Sequence, residues 1–145
     1  MAAAGSRGYD EAIELIYFAW RELVAEPDRL LARRGLSRVH HRILYCIARG
    51  PGITIGGLCR VLGVSKQALH APLGALIKSG LVTRTVEPTN RRVRKLSLTS
   101  RGVQLEERLA AVQRVRFERA FGAAGPAAEA QWREVMRLLA ERGSA

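Results

Sequence analysis

Between Tyr9 and Ala25 apolar residues recur at helical spacing on two sides. Ile13, Ile16, Tyr17, Trp20 and Val24 form one stripe, and Ala12, Leu15, Ala19 and Leu23 form a second. A helix that is apolar on two sides needs two partners to cover it. Glu26, which precedes Pro27, is pushed away from helical geometry, so the helix is expected to stop there and a short turn to run from Asp28 to Arg34, closing at Gly35. Ser37 is placed to cap a second helix, which carries Val39, Ile43, Leu44 and Ile47 and ends at Gly50-Pro51-Gly52.

From Ile53 to Gly80 the pattern tightens into two short helices separated by a turn. Leu58, Val61 and Leu62 give the first an apolar edge, Gly63 supplies the freedom to turn, and Ser65 caps a second helix through Leu76, with Gly80 as its stop. This is a helix-turn-helix, in which the first residues of the second helix meet base edges in the DNA major groove. Those residues are Lys66, Gln67 and His70. Lys66 or Gln67 suits a bidentate base contact, and Ser65 a phosphate at the helix N-terminus. Pro72 falls inside this helix and predicts a bend or local opening from Ala68 to Pro72.

Leu81 to Val86 is β-prone, Pro88-Thr89-Asn90 is turn chemistry, and Leu96 and Leu98 alternate with Lys95 and Ser97. The expectation is a β-hairpin whose tip and far strand carry Arg91, Arg92, Arg94 and Lys95 toward a minor groove or the phosphates. The plainer alternative is an edge strand kept soluble by charge. Thr99 or Ser100 caps a long helix to about Phe121, with Leu105, Leu109 and Val112 on one side and Val103, Ala110, Phe117 and Phe121 on another. Gly122 to Gly125 breaks it, and Pro126 opens a last helix that presents Trp132, Val135, Met136 and Leu139.

The fold class that follows is mainly α with a small β-hairpin: a winged helix-turn-helix flanked by N- and C-terminal dimerisation helices. Residues 1–35 form the first dimerisation helix and connector, 36–102 the DNA-binding lobe, and 103–145 the C-terminal dimerisation helices.

Charge sharpens this picture. The chain carries a formal +11, but from Arg29 to Leu105 there are fifteen Lys and Arg against one acid, Glu87, whereas the flanks hold nine basic and twelve acidic residues. Such segregation suits a face that neutralises phosphates, with double-stranded DNA as partner. No apolar run reaches the ~18 residues of a membrane span, and MAAAGSRGYDEA lacks the apolar core of a signal peptide, which places the protein in the cytoplasm. Cys46 and Cys59 show neither a disulfide framework nor metal spacing. Adjacent His40 and His41 point about 100° apart on a helix, so no metal is expected. With no nucleophile-base-acid arrangement and no phosphate-cradling Gly loop, neither an enzyme nor a cofactor is implied.

The order of elements, the segment GLCRVLGVSKQALHAPLGALIKSGLV, and NRRVRKLSLT from Asn90 to Thr99 followed by Gly102 resemble the MarR family of bacterial winged-helix regulators. The last segment is similar to that family's D-x-R-x-x-x-L-x-L-T wing. The resemblance implies an obligate homodimer with intertwined helical ends, binding a pseudo-palindromic operator and released by a small-molecule effector. It implies that Arg92 is the wing-tip arginine of the minor groove, and that Tyr17, Trp20, His41 and Tyr45 line an effector pocket where the first two helices meet the lobe. The alternative for these four is dimer core for the aromatics and solvated or capping roles for the histidines. Asn90 departs from the family's aspartate, which leaves the wing a hydrogen bond in place of a charge. Ala71, Pro72 and Gly74 depart as well, leaving few long polar side chains for base readout. Against the effector-responsive repressor stands an architectural DNA-binding protein without a ligand.

Overall fold

The computed structural model describes residues 8–141, so the first and last few residues read above lie outside it. The elements follow in the order α1 (Asp10–Ala32), α2 (Arg38–Arg49), β1 (Ile53–Thr54), α3 (Ile55–Leu62), α4 (Lys66–Lys78), β2 (Val82–Glu87), β3 (Asn90–Leu98), α5 (Ser100–Ala124) and α6 (Pro126–Ala140). The core sits in the central lobe, where Ile43, Leu44, Ile47, Leu58, Leu76 and Leu96 are fully buried and Leu31 and Leu109 reach in from α1 and α5. Val61, expected on the inner edge of α3, is exposed, and Cys59 is buried beside Leu58 instead.

The hairpin is larger than the sequence suggests. β3 lies between β2 and β1 and runs antiparallel to both, with Ile53 opposite Leu96 and Thr54 opposite Lys95. Two residues are too few to show a period, and only the buried partner Leu96 reveals that they pair.

Pro27 does not end the first helix. α1 runs through it to Ala32, and the ring is fully buried. A proline strips the carbonyl four residues earlier of its donor. Here that carbonyl, of Leu23, accepts from Gln113 Nε2 of α5 at 3.4 Å. Burial of Pro27 and Leu31 against the core outweighs the local preference of Glu26 for extended backbone. The stop comes at Gly35, at φ +68, where Leu36 N–H donates to Leu31 O and Gly35 N–H to Ala32 O, each at 3.0 Å.

α4 is likewise one continuous helix through Pro72, in place of the expected bend or opening. Ala68, whose carbonyl loses its donor, is exposed, so water can serve it. At its end Gly80, at φ +72, lets Leu81 N–H reach back to Leu76 O at 3.0 Å. Thr99, and not Ser100, caps α5. Its Oγ1 accepts from Gly102 N–H at 3.1 Å and donates to Gly80 O at 2.6 Å, which ties the end of the helix-turn-helix to the scaffold. α5 passes through Gly122 and reverses only at Gly125, with Pro126 opening α6. Ala110 is buried with Leu105 and Leu109, whereas Val103 of its expected stripe is exposed.

Candidate nucleic-acid interface

Thr54 caps α3 by accepting from Gly57 N–H at 3.0 Å, and Gly63 turns the chain at φ +67. Ser65 Oγ accepts from Ala68 N–H at 3.1 Å and so starts α4. Leu69, Leu73 and Leu76 recur at helical spacing and are buried, which turns Lys66, Gln67 and His70 outward, all three exposed. The Ser65 cap serves one N–H of the first turn. Others there remain open to an anion, and the Ser65 hydroxyl can still donate. Ala71 and Gly74 share the exposed face, so it carries few long side chains.

In the wing, the ladder runs in register from Val82 opposite Leu98 to Val86 opposite Arg94, then slips so that Glu87 faces Asn90. Arg91, Arg92 and Val93 therefore stand out of register at the tip. Asn90 Oδ1 accepts from Arg92 N–H at 3.1 Å, so the residue found in place of aspartate holds the arginine's backbone. The four cations differ in employment. Arg94 donates to the Arg91 carbonyl, and Lys95 is ion-paired with Glu87. Among the described residues the Arg91 and Arg92 side chains have no intrachain partner. Sequence reasoning did not single out Lys78 and Arg84. With Lys66 and His70 they rim a groove floored by Ile55, Leu69, Leu73 and Ile77. The one sequence signal for them was their place in the acid-poor window.

Tyr17, Trp20, His41 and Tyr45, the residues of the expected effector pocket, lie outside the groove between α4 and β2 and outside a second groove between α1 and α5. Arg38, His41, Tyr45 and Arg49 lie along one face of α2, at steps of three and four residues. The Arg38 guanidinium stands 5.9 Å from the Trp20 ring centre, and that of Arg49 3.5 Å from the Tyr45 ring centre. Tyr17 is exposed on α1, edge-on to Phe18 at 5.4 Å. His41 is buried beside these groups. Burial pushes its pKa below the ordinary value, against the pull of Glu106 and Asp28. Glu106 is itself buried on α5 and held by Arg49 at 2.7 Å, and Asp28 of α1 pairs with Arg38 at 2.6 Å. His40 Nδ1 accepts from Ser37 N–H at 3.0 Å, a capping role. Cys46 is half-buried, and burial pushes its thiol pKa up; Cys59 is buried. Among the described residues no helix is long and apolar enough to cross a membrane.

Residues 34–93 match the family model described as MarR family. The HTH-type transcriptional regulator PetP of Rhodobacter capsulatus is 43% identical over 129 residues, 89% of this chain and 78% of that protein. The HTH-type transcriptional repressor Mb2911 of Mycobacterium bovis is 29% identical over 130 residues, 90% of this chain and 91% of that protein. The fold is similar to that of FabT of Streptococcus pneumoniae, solved in complex with DNA: the TM-score is 0.78 at 18% identity, covering 90% of this chain and 94% of FabT.

Proposed function

The chain belongs to the MarR family and is a DNA-binding transcriptional regulator, and from that premise we propose that it acts as a homodimeric repressor, which grips a pseudo-palindromic operator and releases it when a small molecule binds. The observation that carries this reading is how the surface divides. Lys66, Gln67, His70, Arg91 and Arg92 are exposed on the central lobe, while the exposed apolar side chains are most concentrated on α1 and α6. Ile13, Ile16, Tyr17, Trp20, Val135 and Leu139 are between 43% and 65% exposed, too much apolar surface to leave wet. The groove between α1 and α5, floored by Leu23, Pro27, Val112 and Val115, offers a seat for a helix of the second copy. Two copies would present two recognition helices about one helical turn apart, ~34 Å, which is what a palindrome requires.

On this reading Lys66 and Gln67 meet base edges, Ser65 a phosphate, Arg92 the minor groove, and Arg91 the adjoining phosphates. Effector binding belongs where α1, α2 and α5 meet, beside Trp20, His41 and Tyr45. A ligand there that favours one spacing of the lobes shifts operator affinity.

The test is binding of the protein, and of R92A, to genomic fragments selected by the protein itself and to random duplex, across a salt series. Wild type should prefer the selected fragments at every salt concentration. R92A should bind more weakly, with the slope of log affinity against log salt reduced by about 0.9 per wing. Equal affinity for selected and random DNA would instead support an architectural role.

A further inference from the structure

The wing holds one carboxylate among its cations. Glu87 is the sole Asp or Glu between Arg29 and Leu105, a stretch that holds fifteen Lys and Arg. It closes β2 just before Pro88, where the ladder slips between Val86 and Glu87. Glu87 Oε2 ion-pairs with Lys95 Nζ, and Thr89 Oγ1 donates to Oε1 at 3.4 Å. Lys95 sits directly opposite Thr85, on the face of the sheet away from the one that buries Leu96, and the ion pair places the Glu87 carboxylate beside it. The Glu87 side chain is 23% exposed and that of Lys95 46%. The Lys95 ammonium holds the Glu87 carboxyl below the usual carboxylate range, so the pair is charged at neutral pH.

A pair this exposed adds little to folding stability. Its electrostatic consequence for DNA is larger. A cation already neutralised releases no counterion from a phosphate, and an unscreened carboxylate beside it would repel one. We infer that Glu87 is a brake on the wing: by engaging Lys95 it withholds one phosphate contact, weakens binding to DNA of any sequence, and leaves a larger share of operator affinity to base readout by α4. Phosphate contacts carry no sequence information, so the brake acts equally on operator and random DNA. This matters more here than on a recognition helix rich in long side chains, because the exposed face of α4 offers few groups for discrimination. The inference rests on the wing being a DNA contact, as proposed above.

The experiment compares wild type, E87Q and E87Q/K95Q on random duplex and on a selected genomic fragment, from roughly 50 to 200 mM NaCl, the range over which phosphate contacts are most visible. E87Q should bind both duplexes more tightly, with a salt slope steeper by about 0.9 per wing, so that its advantage shrinks about threefold per wing across that range. Adding K95Q should remove the gain. An unchanged slope in E87Q, weaker binding, or a double variant that keeps the gain would each overturn the brake. If R92A in the same series also leaves the salt slope unchanged, the wing is not a DNA contact and the brake falls with that reading; if R92A lowers the slope while E87Q leaves it unchanged, the brake alone fails.

Discussion

Gly102 shows how one atom can be forbidden. A Cβ built there would lie 2.0 Å from the Leu81 carbonyl oxygen, a backbone atom that cannot swing away, where Thr99 joins the wing to α5. Gly102→Ala should lower unfolding free energy by about 1 to 3 kcal/mol, as overpacking does, measured by denaturant titration. Gly74→Ala is the opposite case. Nothing lies within 4 Å of its added Cβ, so α4 should gain up to about 1 kcal/mol from helix propensity alone. Equal effects at the two sites would refute the steric account. The residue types for polar contacts were legible in the sequence: Ser65 caps as its position implies, and Lys66, Gln67 and His70 face outward because Leu69, Leu73 and Leu76 face in. The division of labour among the wing cations was not legible, since it depends on which side chains of β2 and β3 meet across the ladder, as Glu87 and Lys95 do.

Among the helices, the two prolines separate local from tertiary causes. Both lie inside helices, and each removes one backbone hydrogen bond. Pro72 is half-buried beside an exposed Ala68, and no described side chain replaces the lost donor. Pro72→Ala should therefore stabilise the protein, by up to about 3 kcal/mol. Pro27 is fully buried, and Gln113 already serves the freed Leu23 carbonyl. Pro27→Ala regains a bond that is partly replaced and leaves a void, so thermal unfolding should show no rise in melting temperature. A rise as large as that of Pro72→Ala would mean that the α5 contact contributes nothing. Helix positions could be read from periodicity at α2 and α4, but the length of α1 could not, because the neighbour that rescues Pro27 lies 86 residues away in the chain. β1 escaped notice for a similar reason: its partner is the far strand of the wing.

For the molecule as a whole, the apolar stripes of α1 are covered, among the described residues, only toward its C-terminal end. Val24, Pro27 and Leu31 at the C-terminal half of α1 are buried, whereas Tyr9 to Trp20 are exposed throughout and α6 buries no residue. The paired substitution V135E/L139E should leave the lobe folded, as judged by circular dichroism. On the proposed homodimer, sedimentation should show a shift to a single subunit and operator affinity should fall more than tenfold, because one recognition helix then acts without its partner. A variant that remains a dimer with unaltered affinity would place the interface elsewhere.

Periodicity, capping residues and the segregation of charge were enough to specify a winged helix-turn-helix with exposed cations on its central lobe, because each depends on neighbours within a few residues or on sums along the chain. The three-dimensional packing decided the rest: the continuation of α1 through Pro27, the recruitment of β1, and the assignment of Lys95 to Glu87. In every such case the stabilising partner lies on another element, and burial or pairing there outweighs the preference of the local backbone.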